Sequence, residues 1–249
     1  MDKILQTKSL SKSFGGLVAL DEIDFSMSNG ELRAIIGPNG CGKTTFFNVI
    51  TGKYKPSEGQ VLYNGEDITG LPVHKIAGKG IGRKFQIPSI FDSLTVYENI
   101  QVPFFSGQKR QSMFVKRSMR KEYHDQIMDV IKDVRLTDKV DELAKNLSHG
   151  EKQWLEIGMA LAGKPNLLLL DEPTAGMTLG ETSATVDLIQ SISSNLSLSI
   201  LVIEHDISFV KEIESKVTVF YKGQVIKEGS FKEIQRDKTV REIYLGRGD

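Results

Sequence analysis

Hydrophobic and polar positions alternate weakly over the first thirty residues, with Leu5, Val18, Leu20, Ile23 and Phe25 standing between polar neighbours. This period of two predicts short antiparallel strands, turned at Gly15 and Gly16. Residues 32–36 predict a strand that runs into a glycine-rich turn and then a helix over 45–51, ended by Gly52. A further strand over 59–63 closes on the turn pair Asn64-Gly65. From about residue 88 to 163 the pattern becomes helical and rich in Lys, Glu, Gln and Met. Two unbroken apolar runs follow, 166–170 and 200–203, separated by a helical stretch at 183–194. Unbroken runs suit strands buried on both faces, as in a parallel sheet covered by helices. Residues 217–221 and 224–228, joined at Gly223, predict a closing hairpin, followed by a short basic helix. No period of 20–50 residues repeats, which excludes solenoids and propellers. The expected architecture is an α/β core with an antiparallel β part, interrupted by a helical segment. It is read as one domain over 1–249, with 1–86 and 166–249 as the core and 87–165 as the insert.

Composition narrows the class. Of 249 residues, 32 are Lys or Arg and 32 are Asp or Glu, so the formal net charge is zero. This argues against a protein held to nucleic acid by bulk charge. The single cysteine, Cys41, excludes an internal disulfide framework and a cysteine-based zinc site. No apolar run approaches the roughly 18–20 residues that span a bilayer, and the N-terminus has no apolar core of a secretion signal. The expected compartment is the cytosol.

The chemistry begins at Gly37, Pro38, Asn39, Gly40, Cys41, Gly42, Lys43 and Thr44, which match G-x-x-x-x-G-K-[ST] in full between a strand and a helix. Glycines let the backbone wrap close enough for its N–H groups to face phosphate oxygens. The helix N-terminus adds partial positive charge. Lys43 would supply charge to the β- and γ-phosphates, and the Thr44 hydroxyl would ligate Mg²⁺; Thr45 follows at the helix start. The run LLLLDEP ends an apolar strand in Asp171, the expected holder of the Mg²⁺ shell in a P-loop NTPase. Glu172 comes next and can reach the reacting side, where a carboxylate can orient and deprotonate the attacking water.

Two further signals have a purely structural reading beside the functional one. Ser148, His149, Gly150 and Glu151 begin a helical pattern twenty residues before Asp171 and form S-x-x-E, a capping box. A capped helix start still aims N–H groups and a dipole outward, and Ser148 can offer a hydroxyl to phosphate. Cys41 would be either a small apolar filler or a reactive thiol. The following helix N-terminus and Lys43 favour the thiolate, so ready labelling that MgATP blocks is expected. Trp154 is expected to pack within the helical part. The basic run Lys109, Arg110, Lys116, Arg117, Arg120 and Lys121 reads as a solvated face, with anionic lipid as the alternative. His74 and His124 show no metal-ligand spacing.

The segment LSHGE resembles the LSGGQ signature of ABC-type ATPases, and the resemblance extends over essentially the whole chain. It implies roles for three more residues. Phe14, in SKSFGG, matches the aromatic that stacks on adenine; Gln86, in GRKFQIPSIFDSLTVYEN, matches the glutamine that senses the γ-phosphate and Mg²⁺; His205, in VIEHDISFV, matches the switch histidine. Ser148 and Gly150 would face the nucleotide of a partner subunit. The strings SHGEKQWLEIGMAL, RKFQIPSIFDSLTVYENI, DEPTAGMT and KEGSFKEIQRDKTVREIYLGR look like the urea branch of the hydrophobic amino-acid uptake ATPases, with a branched-chain amino-acid or short-chain amide importer as the alternative and a soluble ABC ATPase outside transport as a third reading. The sequence departs from the family where His149 and Glu151 stand in the signature, and where Thr178 replaces the usual Asp after Pro173. The resemblance implies ATP and Mg²⁺, a dimer with a second ABC ATPase, identical or different, two transmembrane permeases and, indirectly, a periplasmic solute-binding protein. It implies no nucleic acid and a place on the cytoplasmic face of the cell membrane.

Overall fold

The computed structural model describes residues 2–84, 90–106 and 117–245. The chain opens with strands β1 (Lys3–Phe14), β2 (Leu17–Ser28) and β3 (Leu32–Ile36), then helix α1 (Lys43–Ile50). Next come β4 (Glu58–Tyr63), β5 (Glu66–Asp67), α2 (Val73–Gly78) and β6 (Ile81–Lys84). Helices α3 (Val96–Ser106), α4 (Arg117–Asp133) and α5 (His149–Leu161) lead to β7 (Leu167–Asp171), α6 (Leu179–Asn195) and β8 (Ser199–Ile203). The chain closes with α7 (Ile207–Glu212), β9 (Lys216–Tyr221), β10 (Gln224–Ser230), α8 (Phe231–Arg236) and α9 (Lys238–Leu245).

Two sheets result. One is antiparallel, in the order β2-β1-β4-β5; the other runs β10-β9-β3-β8-β7-β6. In the second, β9, β3, β8, β7 and β6 are parallel and only the β9–β10 hairpin is antiparallel. The unbroken apolar runs explain its centre, since β7 and β8 are buried at every position. Successive side chains of a strand point to opposite faces. Ile35, Leu167, Leu169, Leu201 and Ile203 thus join one core with Phe46 and Phe47 of α1 and the antiparallel sheet. Ala34, Leu168, Leu170, Ile200 and Val202 join a second core with helices α3 to α7. The register sets Asp171 beside Ile203, and Ile35 beside the same residue. The carboxyl ends of β3, β8 and β7 therefore emerge together, which is where parallel sheets place their ligands.

Three expectations need adjustment. The first hairpin is long, twelve residues on each side. Its alternation is weak because register shifts interrupt it, one of them between Thr7 and Leu10, and each shift resets which face a side chain takes. Strand β6 and helix α2 had no counterpart in the pattern reading; β6 is the four-residue edge strand IGRK, too short to carry a period. Helix α6 starts at Leu179, four residues before the expected start. Thr178 and Glu181 form a capping box there that begins the helix earlier.

Candidate nucleotide site

Strand β3 delivers the chain into the phosphate loop, and α1 takes it away. Gly42 is the N-cap of α1 at φ +107, and a Cβ there would stand 2.4 Å from the carbonyl oxygen of Ala19. Both the backbone angle and the space demand glycine. Lys43 folds back over the loop, its Nζ donating to the carbonyl oxygens of Gly37 (2.7 Å) and Pro38 (3.1 Å). The ammonium is thereby held inside the ring of backbone that begins α1, where the amides of the helix's first turn lack intrahelical partners.

Above the loop lies an open cleft of about 250 Å³, lined by Phe14, Leu17, Val18 and Ala19 from the first hairpin, by Asn39, Gly40 and Gly42 to Thr45 from the loop, and by Glu172. Phe14 is 41% exposed and rests edge-on against Tyr54, with ring centroids 5.2 Å apart. One ring face of a supported, exposed phenyl group beside a phosphate loop can stack on a base. The structure thus brings Phe14, the loop and Glu172 to one cleft, although 158 residues separate Phe14 from Glu172 in the chain.

Asp171 ends β7 and is 1% exposed. Its Oδ2 accepts from Arg83 Nη2 of β6 at 2.9 Å, and Arg83 also donates to Asn48 Oδ1 (2.8 Å) and Thr51 Oγ1 (3.2 Å) at the end of α1. Burial raises the Asp171 pKa above the usual carboxylate range, and Arg83 counters that. The other carboxylate oxygen, Oδ1, is buried without a hydrogen-bond partner among the described residues. An orphaned carboxylate oxygen together with the exposed Thr44 hydroxyl makes a hard-oxygen donor set, which fits Mg²⁺ and its bound waters. Asp171→Ala is expected to destabilise the fold by about 3–5 kcal/mol, because it removes one partner of a buried ion pair. Chemical unfolding read by circular dichroism checks this.

Glu172 has φ +49, an uncommon conformation for a residue with a side chain. Its N–H donates to the Ile203 carbonyl at 2.9 Å, which pins the turn to the end of β8. Its Oε1 lies 3.7 Å from Nδ1 of His205, whose side chain is 54% exposed. Glu204, next to His205 in the chain, is fully buried and had no expected role. Glu204 Oε1 accepts from the Thr174 N–H (3.1 Å) and hydroxyl (2.7 Å), and Oε2 accepts from the His205 N–H (3.2 Å). It ties the loop after Glu172 to the turn that carries His205. A charged residue at the end of an apolar strand was its only signal. Gln86 lies outside the described residues, as do Lys109, Arg110 and Lys116.

The signature segment stands elsewhere. Ser148 caps α5, its hydroxyl accepting from the Glu151 N–H at 3.2 Å while Glu151 accepts from the Ser148 N–H at 2.8 Å. Neither Ser148 nor Gly150 lines the cleft. Two of the three residues that depart from the family pattern, His149 and Thr178, meet one loop here. His149 Nε2 donates to the Ala175 carbonyl at 2.8 Å, in the loop after Glu172, and Thr178 ends that loop as the cap of α6. Trp154, expected to pack within the helical part, instead ties that part to the core, its Nε1 donating to Thr185 of α6 at 2.9 Å. Among the described residues no cluster of His, Cys, Asp and Glu could hold a metal by itself.

The expected reactivity of Cys41 is corrected. The thiol is 5% exposed within the core that includes Phe46 and Phe220. Burial raises its pKa and outweighs the lowering by Lys43. Maleimide is therefore expected to label the native protein slowly at neutral pH, with or without MgATP, and quickly once denaturant opens the core. Labelling timed by mass spectrometry checks this.

Residues 20–175 match the family model described as ABC transporter. The chain is 34% identical over 251 residues to the high-affinity branched-chain amino acid transport ATP-binding protein BraF of Pseudomonas aeruginosa, covering 98% of each. It superposes on an ATP-binding cassette of an ABC transporter in its ADP conformation with a TM-score of 0.88 and 31% identity, over 99% of this chain and 100% of that one. A dimeric ATP-binding cassette in a post-hydrolysis state, bound to ADP and Pi, matches at 25% identity with a TM-score of 0.76, over 91% of this chain and 98% of that one. The family model spans more than half of the chain and the likeness to these relatives runs from end to end, so the chain belongs to the ABC transporter family as an ATP-binding, ATP-hydrolysing cassette.

Proposed function

We propose that this chain powers an importer of branched-chain aliphatic amino acids. The observation that carries this reading is the end-to-end likeness to BraF, a branched-chain amino acid transport protein by name. That likeness favours the amino-acid reading over urea, for which the support is the set of sequence strings that resemble the urea branch. No helix among the described residues is long and apolar enough to cross a membrane, so the pathway for solute belongs to permease partners. The cassette works on the cytoplasmic face beside them, fed from outside by a solute-binding protein.

In this reading the core spans 1–86 and 166–249, and 87–165 is the helical part that meets the permeases. Adenine stacks on Phe14. Backbone N–H groups of the loop and Lys43 hold the β- and γ-phosphates. Thr44 and the free oxygen of Asp171 would hold Mg²⁺, with Gln86 reaching it through water; the ion, when bound, offsets phosphate charge. Glu172 accepts a proton from the attacking water, and His205 donates a hydrogen bond to the γ-phosphate. Glu204 positions both through the Thr174 and His205 backbone. Ser148 and Gly150 complete the nucleotide site of a second cassette, because in their own chain they stand outside the cleft. The 80% exposure of Leu179, at the start of α6, suits a surface that meets that partner.

The test is ATP hydrolysis by the transporter reconstituted with its binding protein. Leucine-loaded binding protein is expected to stimulate the rate. Stimulation by the urea-loaded form and none by leucine would assign the solute to the urea branch.

A further inference from the structure

A second and larger cavity, of about 510 Å³, lies against the core that packs the parallel sheet on the helices, which includes its wall residues Ile36, Ile234 and Val240. Its wall is apolar: Ile36, Ile207, Phe231, Ile234 and Val240. Two polar residues complete it, Gln235 of α8 and Arg241 of α9. The volume falls in the range of small-molecule sites, which combine an apolar wall with a few placed polar groups. The Arg241 guanidinium has no ion-pair partner among the described residues. The acid at the junction of the two helices, Asp237, is instead paired with Lys227 at 3.1 Å. The Arg241 N–H donates to the Asp237 carbonyl at 3.0 Å, so the helix turn that carries the side chain is fixed. Among the described residues, an open apolar groove with one unpaired cation at its rim, the exposed Arg241, selects for a ligand with an apolar body and a single negative end. The guanidinium fork matches the planar carboxylate.

We infer that the cavity between β3, α7, α8 and α9 is a binding site for an aliphatic carboxylate of medium chain length, its tail against Ile36, Ile207 and Val240 and its carboxylate on Arg241. The site is separate from the ATP cleft, since no residue lines both. Two of its wall residues nevertheless adjoin the nucleotide machinery in the chain. Ile36 directly precedes Gly37 of the phosphate loop, and Ile207 follows His205 by two residues.

Isothermal titration of the whole protein with octanoate tests the site, with n-octanol as the tail without charge and acetate as the charge without tail. Saturable one-to-one binding of octanoate is expected, at least tenfold tighter than either control. Arg241→Gln should weaken octanoate binding at least tenfold and leave octanol binding unchanged. Ile207→Trp, which fills the chamber from a partly exposed position, should weaken both. MgATP affinity and the thermal unfolding midpoint of each variant serve as folding controls. No saturable octanoate binding by wild-type protein, equal binding of octanoate and octanol, or octanoate binding by Arg241→Gln within twofold of wild type would each overturn the assignment.

Discussion

Glu172→Gln protein is expected to bind MgATP as tightly as wild type and to turn it over about 10²–10⁴ times more slowly, the range for loss of a positioned general base. The amide has the same shape as the carboxylate but cannot take a proton from water. Binding should survive because the proposed contacts to phosphate come from the loop and Lys43, and Glu172 is only one part of the cleft wall. The turn itself should survive, because it is held by the Glu172 N–H on Ile203 and by Glu204 on Thr174, neither of which involves the Glu172 carboxylate. ATP-bound protein should then accumulate as dimers on gel filtration. Hydrolysis within a few-fold of wild type would remove Glu172 from the role of base.

Lys43→Ala should fail earlier, at nucleotide binding. A hydrogen bond to a charged group contributes about 1.5–3 kcal/mol, and in the proposed function the ammonium serves both terminal phosphates. Two such contacts predict a loss of affinity of about 100-fold or more. The substitution also leaves the Gly37 and Pro38 carbonyls without their donor, so the loop loses its internal brace. Equilibrium titration with a fluorescent ATP analogue reads the effect. An affinity within threefold of wild type would contradict it. The pair of variants separates two steps, because one keeps the nucleotide and stalls, and the other never holds it.

The parts of the site legible in the sequence are those that local chemistry dictates. Gly42 must be glycine for its backbone angle, β7 must be apolar because both its faces are covered, and Ser148 and Glu151 three residues apart make a cap. What was hidden depends on contacts between distant segments. Arg83 meets Asp171 across 88 residues, from an edge strand too short to show a period. Glu204 meets Thr174 across 30, and only the pairing of β7 with β8 brings them together. Thr178 read as a lost acid, yet it begins α6 as a cap, a role open to Asp and Thr alike. Cys41 was misjudged for the same reason. Its neighbours in the chain favour a thiolate, but Phe46 and Phe220 shield it, and burial outweighs the local charge.

ATP is expected to lie in one cleft, with its base on the first hairpin and its phosphates on the loop before α1. Photolabelling with 8-azido-ATP, followed by peptide mapping, tests it most directly, because the azido group sits on the base itself. Label is expected on the peptide that contains Phe14 to Val18, suppressed by excess ATP and strongly reduced in Lys43→Ala protein. Label confined to another segment, such as the cavity lined by Ile207 and Arg241, and indifferent to the Lys43 substitution, would contradict it.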